Sequence, residues 1–349
     1  MKFDIKSTVS KYKDFIKLTW ITSISQLLVQ AVGLVSGIMV IRVLPQSEYA
    51  LYTLANTMLG TMMALANGGI STGLMSEGGK VWTDKIKLGE VLKSGSQLRN
   101  KFGIISFIIC SPILAYLLIK NDASYTTITL LILSLIPAFF SSLSEFILEI
   151  PPKLKQDLIP LQKNQLAVNF GRLALLGLTI FIFPYAYIAI IAAGIPRVWG
   201  NFKLRKIASK HVDFEQKGNE VVRSNILATV NRILPESIYY SISGQVTIWL
   251  LAIFGSTSSI AEIGALGRIA MLLNIVAIVF STILAPRFAR LKNNFRELLA
   301  KYVQIQILGL LIFTIITIIS YIFENQILWV LGDKYSQFLS ELLLQVIGS

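Results

Sequence analysis

The chain has 349 residues, of which 54% are hydrophobic and only 15% are charged, and its mean hydropathy is +0.66. No soluble domain of this length needs so much apolar surface, so the composition excludes a soluble protein and indicates a polytopic membrane protein. The formal net charge of +13 would suit a nucleic-acid-binding protein only if the basic residues were not confined to one side of a membrane.

The first predicted element is a hairpin of two apolar runs, residues 15–43 and 49–75. Each run is longer than the roughly 20 residues that cross a hydrocarbon core of about 30 Å. A short polar break separates them. Pro45 cannot extend the first helix, and the polar residues that follow it offer capping groups to the second. We therefore expect two spans joined by a tight turn, with one helix ending near Val43 and the next starting near Ser47.

Further spans follow by the same criterion. They cover 102–118, 126–148, 166–183, 185–200, 226–254, 260–284 and 303–323, and an incomplete one opens near Tyr335. The sequence therefore predicts an all-α polytopic membrane protein with about nine or ten spans.

The basic residues are segregated between the two sets of loops. Most of the 32 lysines and arginines lie before the first span or in the loops after the even-numbered spans. The opposite loops contain only Arg42, Lys120 and Lys334. This segregation is the positive-inside bias. It predicts a cytoplasmic N-terminus and explains the net charge without a nucleic-acid partner.

The loops opposite the basic ones are a few residues long and offer no room for an enzyme's acceptor site. The chain has no Gly-rich phosphate loop, no Ser/His pair and no paired-carboxylate constellation. The single histidine, His211, has no second ligand at metal-binding spacing, so we expect a solvated role for it. Glu145 and Glu149 are expected to be solvated caps at the end of the fourth span. We predict no enzymatic activity, no catalytic residue and no metal site.

Polar residues at membrane depth are the candidate functional residues. A central arginine costs about 2.5–3.5 kcal/mol on insertion scales and therefore usually faces a wet cavity or a partner. Amide side chains accompany these arginines along the chain. The candidates for a substrate path are Arg268, Arg232, Arg172, Asn274, Asn231, Gln26, Gln30 and Asn56.

Most of these candidates have a structural alternative. The alternative for Arg172 is that its side chain extends to the cytoplasmic surface instead of facing a cavity. The alternative for Arg232 and Glu236 is that they only neutralise each other as an i,i+4 pair. Arg268 has only Glu262 as a nearby carboxylate in its own helix, which makes it the strongest cavity candidate. Hydrogen bonding between helices is the alternative for four amides, Gln26, Gln30, Asn56 and Asn67.

The first hairpin has a faint second copy. The helix start at 48–55 aligns with 262–269, and each is followed by a long apolar span and a basic loop. The offset of six spans gives both copies the same orientation, which predicts two parallel six-helix halves with a site between them. The predicted domains are a first lobe of six transmembrane helices (1–205), a cytoplasmic linker (206–222) and a partial second lobe (223–349) with three helices and the start of a fourth.

Short segments along the whole chain carry a family resemblance: ISQ at 24–26, RVLPQSEYALY at 42–52, GGI at 68–70, FG at 254–255, AL at 265–266, APRF at 285–288 and LGDKY at 331–335. They are similar to bacterial polysaccharide-biosynthesis membrane proteins, the O-antigen flippase-like oligosaccharide exporters of the multidrug/oligosaccharidyl-lipid/polysaccharide exporter superfamily. The resemblance implies a MATE-like fold of twelve or more helices, V-shaped around a central cavity. Against that plan, the second half is expected to be shortened at its C-terminus.

The resemblance also implies a function. Such proteins move undecaprenyl-diphosphate-linked oligosaccharide units across the bacterial inner membrane for surface polysaccharide assembly, O-antigen or capsule. A cavity lined by Arg232, Arg268 and Arg172 would attract the diphosphate, while amide side chains would meet sugar hydroxyls. The expected partners are the lipid-linked oligosaccharide, membrane lipids, and the polysaccharide polymerase and chain-length proteins.

No cofactor is expected beyond a proton or sodium gradient, and Glu236 is the candidate residue for coupling transport to it. Related chains often have an acidic residue in the seventh span, whereas residues 244–247 read GQVT here. Two alternative functions stay open. One is a drug or metabolite antiporter of the same fold, and the other is a truncated, non-transporting membrane partner of the polysaccharide assembly machinery.

Overall fold

The computed structural model describes residues 5–265 and 267, together with scattered residues between 299 and 326. All regular structure in these residues is helical. Arg268 and Asn274 lie outside the described residues, as do most of the predicted spans from 260 onward and much of the second hairpin copy.

The helices follow one another with short connections. In chain order they are α1 (Ile5–Val43), α2 (Gln46–Asn67), α3 (Ile70–Lys80), α4 (Lys85–Lys120), α5 (Tyr125–Leu148), α6 (Ile150–Leu154), α7 (Leu158–Ile180), α8 (Ala186–Ala208), α9 (Glu220–Ser243) and α10 (Val246–Phe254).

Six long helices, α1, α2, α4, α5, α7 and α8, occupy the region predicted as a six-helix lobe. Two predicted spans are broken. The second divides at Gly68 and Gly69, where Gly69 has a φ of 90° that favours glycine. The span predicted at 226–254 divides into α9 and α10, which are bent by 47°. The predicted all-α class is confirmed for the described chain.

The third span begins earlier than predicted. α4 starts at Lys85, because the Asp84 carboxylate caps it by accepting hydrogen bonds from the backbone N–H groups of Ile86 (2.9 Å) and Lys87 (3.2 Å). The stretch 85–101, which its basic residues suggested to be a loop, is therefore helical. Arg99 consequently lies inside a helix rather than in a cytoplasmic loop.

Several described helices are long and apolar enough to cross a bilayer. They are Trp20–Val43 within α1, all of α4, and Tyr125–Leu154, which joins α5 and α6; the bent pair α9 and α10 adds another if it counts as one span. The chain is therefore a multi-pass membrane protein. Helices α2, α7 and α8 have similar lengths but too many polar residues to satisfy the same criterion.

The connections alternate between two ends of the bundle. At one end, the Glu48 carboxylate at the start of α2 accepts a hydrogen bond of 2.8 Å from the N–H of Ala186, at the start of α8. At the other end, the connector between α8 and α9 (residues 209–219) contacts the start of α4, where the Asp213 N–H donates to the Lys85 carbonyl over 3.2 Å. This alternation is the hairpin topology expected for successive spans.

Helix α8 packs closely against α5 and α7. A Cβ atom added at Gly194 would lie 3.4 Å from Ala138 of α5, and one added at Gly200 would lie 2.2 Å from Val168 of α7. Small residues thus let the three backbones approach, as is common where helices associate in membranes. The close packing fixes the relative positions of the side chains that α5, α7 and α8 present to one another.

The chain divides into two compact units. One comprises described residues 5–32 and 43–261, and the other comprises residues 33–42 and the described residues from 262 onward. Every site discussed below lies in the first unit. The predicted lobe boundaries at 205 and 223 stay a prediction.

Candidate functional site

A cavity of about 60 Å³ lies between α2, α5, α7 and α8. Its polar lining comes from Tyr52 and Asn56 of α2, Arg172 of α7 and Arg197 of α8. Leu59, Ala138, Ile190 and Ala193 complete the wall. Arg197 lies midway along α8, about 16 Å from either end at 1.5 Å per residue, so the cavity lies between the two ends of this helix.

The cavity brings together two of the predicted substrate-path residues, Arg172 and Asn56, and adds Arg197, which the sequence analysis missed. The positive-inside count assigns Arg197 to the basic residues around the connection after the sixth span, although the predicted span 185–200 contains it. Instead, α8 continues through Pro196 to Ala208. A helix in a membrane tolerates an internal proline when neighbouring helices satisfy the freed backbone groups.

Arg197 is held on one side by α5. Its Nε lies 3.2 Å from Oε2 of Glu145, and its Nη1 donates to Oγ of Ser142 over 2.6 Å. The Glu145 side chain forms this ion pair and is only 23% exposed. The prediction that it is a solvated cap is therefore wrong. The cavity lining therefore carries two guanidinium groups, and that of Arg197 forms an ion pair with Glu145.

A second polar cluster connects α1, α5, α6 and α7. The Gln26 amide of α1 donates to Oε1 of Gln162 (3.0 Å) and of Gln165 (2.8 Å). Gln165 in turn donates to Glu149 Oε1 over 2.6 Å, and Lys153 lies 2.6 Å from Glu149 Oε2. Glu149 is only 7% exposed, so its predicted role as a solvated cap is also wrong. Gln26 joins helices here and does not line the cavity.

The remaining amide candidates on α1 and α2 differ from each other. Asn56 donates to the carbonyl of Tyr52 in its own helix over 2.9 Å, and it lines the cavity rather than joining two helices. Gln30 is half-buried on α1 and is not part of the cavity wall.

The candidates on α9 lie elsewhere. Asn231, Arg232 and Glu236 are exposed and do not line the cavity. Arg232 and Glu236 do not form the i,i+4 ion pair within the described chain, where the i,i+3 pair of α9 joins Arg223 and Glu220. The predicted set is therefore only partly assembled in one place. Arg268 and Asn274 lie outside the described residues.

Arg99 is a buried arginine that the sequence analysis placed in a loop. It is fully buried in α4, and its Nη2 donates to Oδ1 of Asn67 and, over 3.2 Å, to Oγ of Ser71. Its guanidinium lies 4.9 Å from the centre of the Phe146 ring, within the range of a cation–π interaction. Arg99 thus connects α4 with both sides of the break between α2 and α3. Asn67 has the helix-joining role that was its alternative in the sequence.

The connector between α8 and α9 carries the single histidine. His211 Nε2 lies 2.9 Å from Oδ2 of Asp157, and its side chain is 19% exposed, so the predicted solvated role is wrong. Two residues further along, hydrogen bonds from the Glu215 N–H and the Gln216 amide hold the pKa of Asp213 below its ordinary value. These contacts secure the connector without forming a cavity.

Comparison with known proteins establishes the fold. No protein-family model matches the chain, and no curated protein matches it. The solved structure of a multidrug resistance MATE family transporter of the MOP superfamily, in an inward-facing conformation, is similar with a TM-score of 0.66. The two chains are 15% identical, over 93% of this chain and 79% of the other. At this identity the likeness concerns the fold, and it confirms the predicted MATE-like architecture.

Proposed function

We propose that the chain flips undecaprenyl-diphosphate-linked oligosaccharide units across the bacterial inner membrane for assembly of surface polysaccharide, by alternating access. The observation that carries the proposal is the convergence of Arg172, Arg197 and Asn56 on one cavity between the helices of a transporter-like fold. The cargo class and the O-antigen or capsule role also rest on the family resemblance of the sequence.

The chemistry of the cavity suits an anionic group. Arginine presents a planar set of N–H donors that matches phosphate oxygens, and its charge is costly at membrane depth unless a partner or water offsets it. Arg172 and Arg197 both line the cavity, whereas Glu145 contacts Arg197 from α5 without being part of the lining. An anion that entered the cavity would therefore gain charge-assisted hydrogen bonds, while the Asn56 amide offers polar contacts to a sugar.

The cavity is small for the whole cargo. Pockets that enclose drug-sized molecules usually measure about 300–1,000 Å³, whereas this one measures about 60 Å³. It fits one charged group of the headgroup. The oligosaccharide and the lipid tail would then occupy other surfaces, the tail remaining in the bilayer as the protein changes conformation.

A drug or metabolite antiporter is the second candidate, because the similar solved structure belongs to a multidrug resistance transporter. The charge of the cavity separates the two functions. Two arginines repel the cations that many such transporters would carry, so the lining favours an anionic cargo. Coupling to a proton or sodium gradient through Glu236, and docking to a polysaccharide polymerase or chain-length protein, stay predictions.

Complementation of a flippase-null strain tests the proposal. The chain should restore surface polysaccharide, and Arg172→Ala and Arg197→Ala should each abolish the restoration. Arg223→Ala is the matched control, since Arg223 is an exposed arginine paired with Glu220 outside the cavity. Immunoblots of the membrane fraction must show equal insertion of every variant.

Three outcomes would contradict the proposal. Full complementation by both cavity variants would remove the cargo-binding role of the arginines. Failure of the inserted wild-type chain, combined with energy-dependent efflux of cationic dyes, would favour the antiporter. Failure in both assays would favour the non-transporting partner.

A further inference from the structure

Arg197 is the cavity arginine that α5 holds in place. Both of its described polar contacts come from α5: Glu145 Oε2 at 3.2 Å and Ser142 Oγ at 2.6 Å. The pair is partly buried, with the Arg197 and Glu145 side chains 37% and 23% exposed. One face of the guanidinium is therefore engaged by the protein, while the residue still lines the cavity.

Glu145 has fewer polar partners than its neighbour Glu149. One helical turn after Glu145, at the end of α5, Glu149 has a partner on each oxygen: Gln165 on Oε1 and Lys153 on Oε2, both at 2.6 Å. Glu145 has one cation in direct contact within the described residues, and the other charges that act on it are Glu149 and Lys153. Loss of the Arg197 contact would thus leave the Glu145 carboxylate with no cation in direct contact among the described residues, near the like charge of Glu149 and the opposite charge of Lys153.

We propose that Glu145 is the internal counter-ion of Arg197, and that an anionic group of the cargo competes with it for the guanidinium. This inference rests on the proposed function and adds how the site's affinity for an anion is set. A phosphoryl oxygen and the Glu145 carboxylate are both acceptors for the same N–H donors. Because two anions on one guanidinium repel each other, binding of a phosphoryl group weakens the Arg197–Glu145 contact, and the Glu145 carboxylate weakens phosphoryl binding.

This exchange of the Glu145 carboxylate and the cargo anion on Arg197 has a role in release of the cargo as well as in its binding. A cavity with two unopposed arginines would hold a diphosphate tightly and give it up slowly. A carboxylate that returns to Arg197 lowers the affinity and helps to expel the anion. Ser142, which bonds Arg197 through a neutral hydroxyl, keeps the side chain oriented during the exchange.

Pyrophosphate binding to the purified full-length chain, measured by isothermal titration calorimetry in detergent, tests the exchange. Glu145→Gln keeps the size of the side chain and one acceptor oxygen but removes its charge. It should bind pyrophosphate at least about five-fold more tightly than the wild type, the lower end of typical coupling between sites. Arg197→Ala should weaken binding. The double variant should show no gain from the Glu145 change, because the gain acts through Arg197.

Glu48→Gln is the matched carboxylate control, since Glu48 bonds the Ala186 N–H at one end of the bundle and does not line the cavity. Its affinity for pyrophosphate should equal that of the wild type. Thermal unfolding of each variant confirms that it is folded.

The outcomes separate the exchange from the proposed function. An unchanged or weaker affinity in Glu145→Gln, or a gain that persists without Arg197, would overturn the exchange. If Arg172→Ala lost pyrophosphate binding and Arg197→Ala did not, the anion-binding cavity would be supported and the exchange at Arg197 would be contradicted. If neither the wild type nor Glu145→Gln bound pyrophosphate, both ideas would fall.

Discussion

The contact between the α8–α9 connector and α4 predicts how the first unit responds to one added methyl group. Gly89 lies near the start of α4, and a Cβ atom there would sit 2.0 Å from the backbone oxygen of Asp213 and 3.0 Å from Cγ of Gln216. A side chain can rotate away from such a contact, but a backbone carbonyl moves only if the chain moves. Gly89→Ala should therefore displace the connector from the end of α4.

The expected loss combines three contributions. Overpacking costs about 1–3 kcal/mol. The hydrogen bond from the Asp213 N–H to the Lys85 carbonyl, 3.2 Å in the native protein, contributes about 0.5–1.5 kcal/mol that the shift would remove. In the opposite direction, alanine stabilises a helix by about 0.5–1 kcal/mol relative to glycine. The net change in the free energy of unfolding should be a loss of about 2 kcal/mol.

Thermal unfolding in detergent and limited trypsin digestion measure the effect. Gly89→Ala should lower the apparent Tm and accelerate cleavage at Lys210 and Lys217, which are exposed in the connector. Gly79→Ala is the control, because Gly79 lies in α3 at the same end of the bundle and an added Cβ would meet nothing within 4 Å. If Gly89→Ala matched this control in both measurements, the proposed packing of the connector on α4 would be wrong.

Two further predictions concern polar contacts of the first unit. Asn67→Ala should lower the free energy of unfolding by about 1.5–3 kcal/mol, the usual range for a hydrogen bond to a charged group, because buried Arg99 loses an acceptor. Asn67→Asp keeps an acceptor and should be tolerated in the same thermal unfolding measurement. Equal losses in both variants would contradict this prediction. Asp213 has a lowered pKa, so its stabilisation is present above the ordinary value of 3.8 and is lost as the pH falls through the lowered one. The Tm difference between wild type and Asp213→Asn should therefore be constant above about pH 5 and shrink as the pH falls below 3.8, whereas a difference that stays constant there would exclude this linkage.

The sequence predicted the first hairpin closely because its signals are local. Pro45 stops one helix and polar residues start the next, and α1 ends at Val43 while α2 begins at Gln46. Apolar runs of spanning length likewise predicted the order of the long helices. The beginning of α4 was missed because its first turns are basic, although the Asp84 cap was a usable local signal.

The environment of individual charged residues was much less predictable. Arg99 and Arg197 were counted as loop residues, but the first is buried and the second lines a cavity. Glu149 and His211 were expected in solvent and are instead held by partners far away in the sequence or on a neighbouring turn. Whether a charge is solvated or paired depends on which helices become neighbours, and a single sequence contains no direct record of that arrangement.

The helices that fail the span criterion are the ones that give the cavity its polar lining. Helices α2, α7 and α8 are less apolar than the helices that meet the span criterion, and they supply Asn56, Arg172 and Arg197. Helix α5, which satisfies the criterion together with α6, contributes only Ala138 to the wall. Polar residues are tolerated in a membrane helix where they face a cavity or a partner rather than lipid. In this chain the helices of lower hydropathy are therefore the ones that supply the polar side chains of the cavity wall.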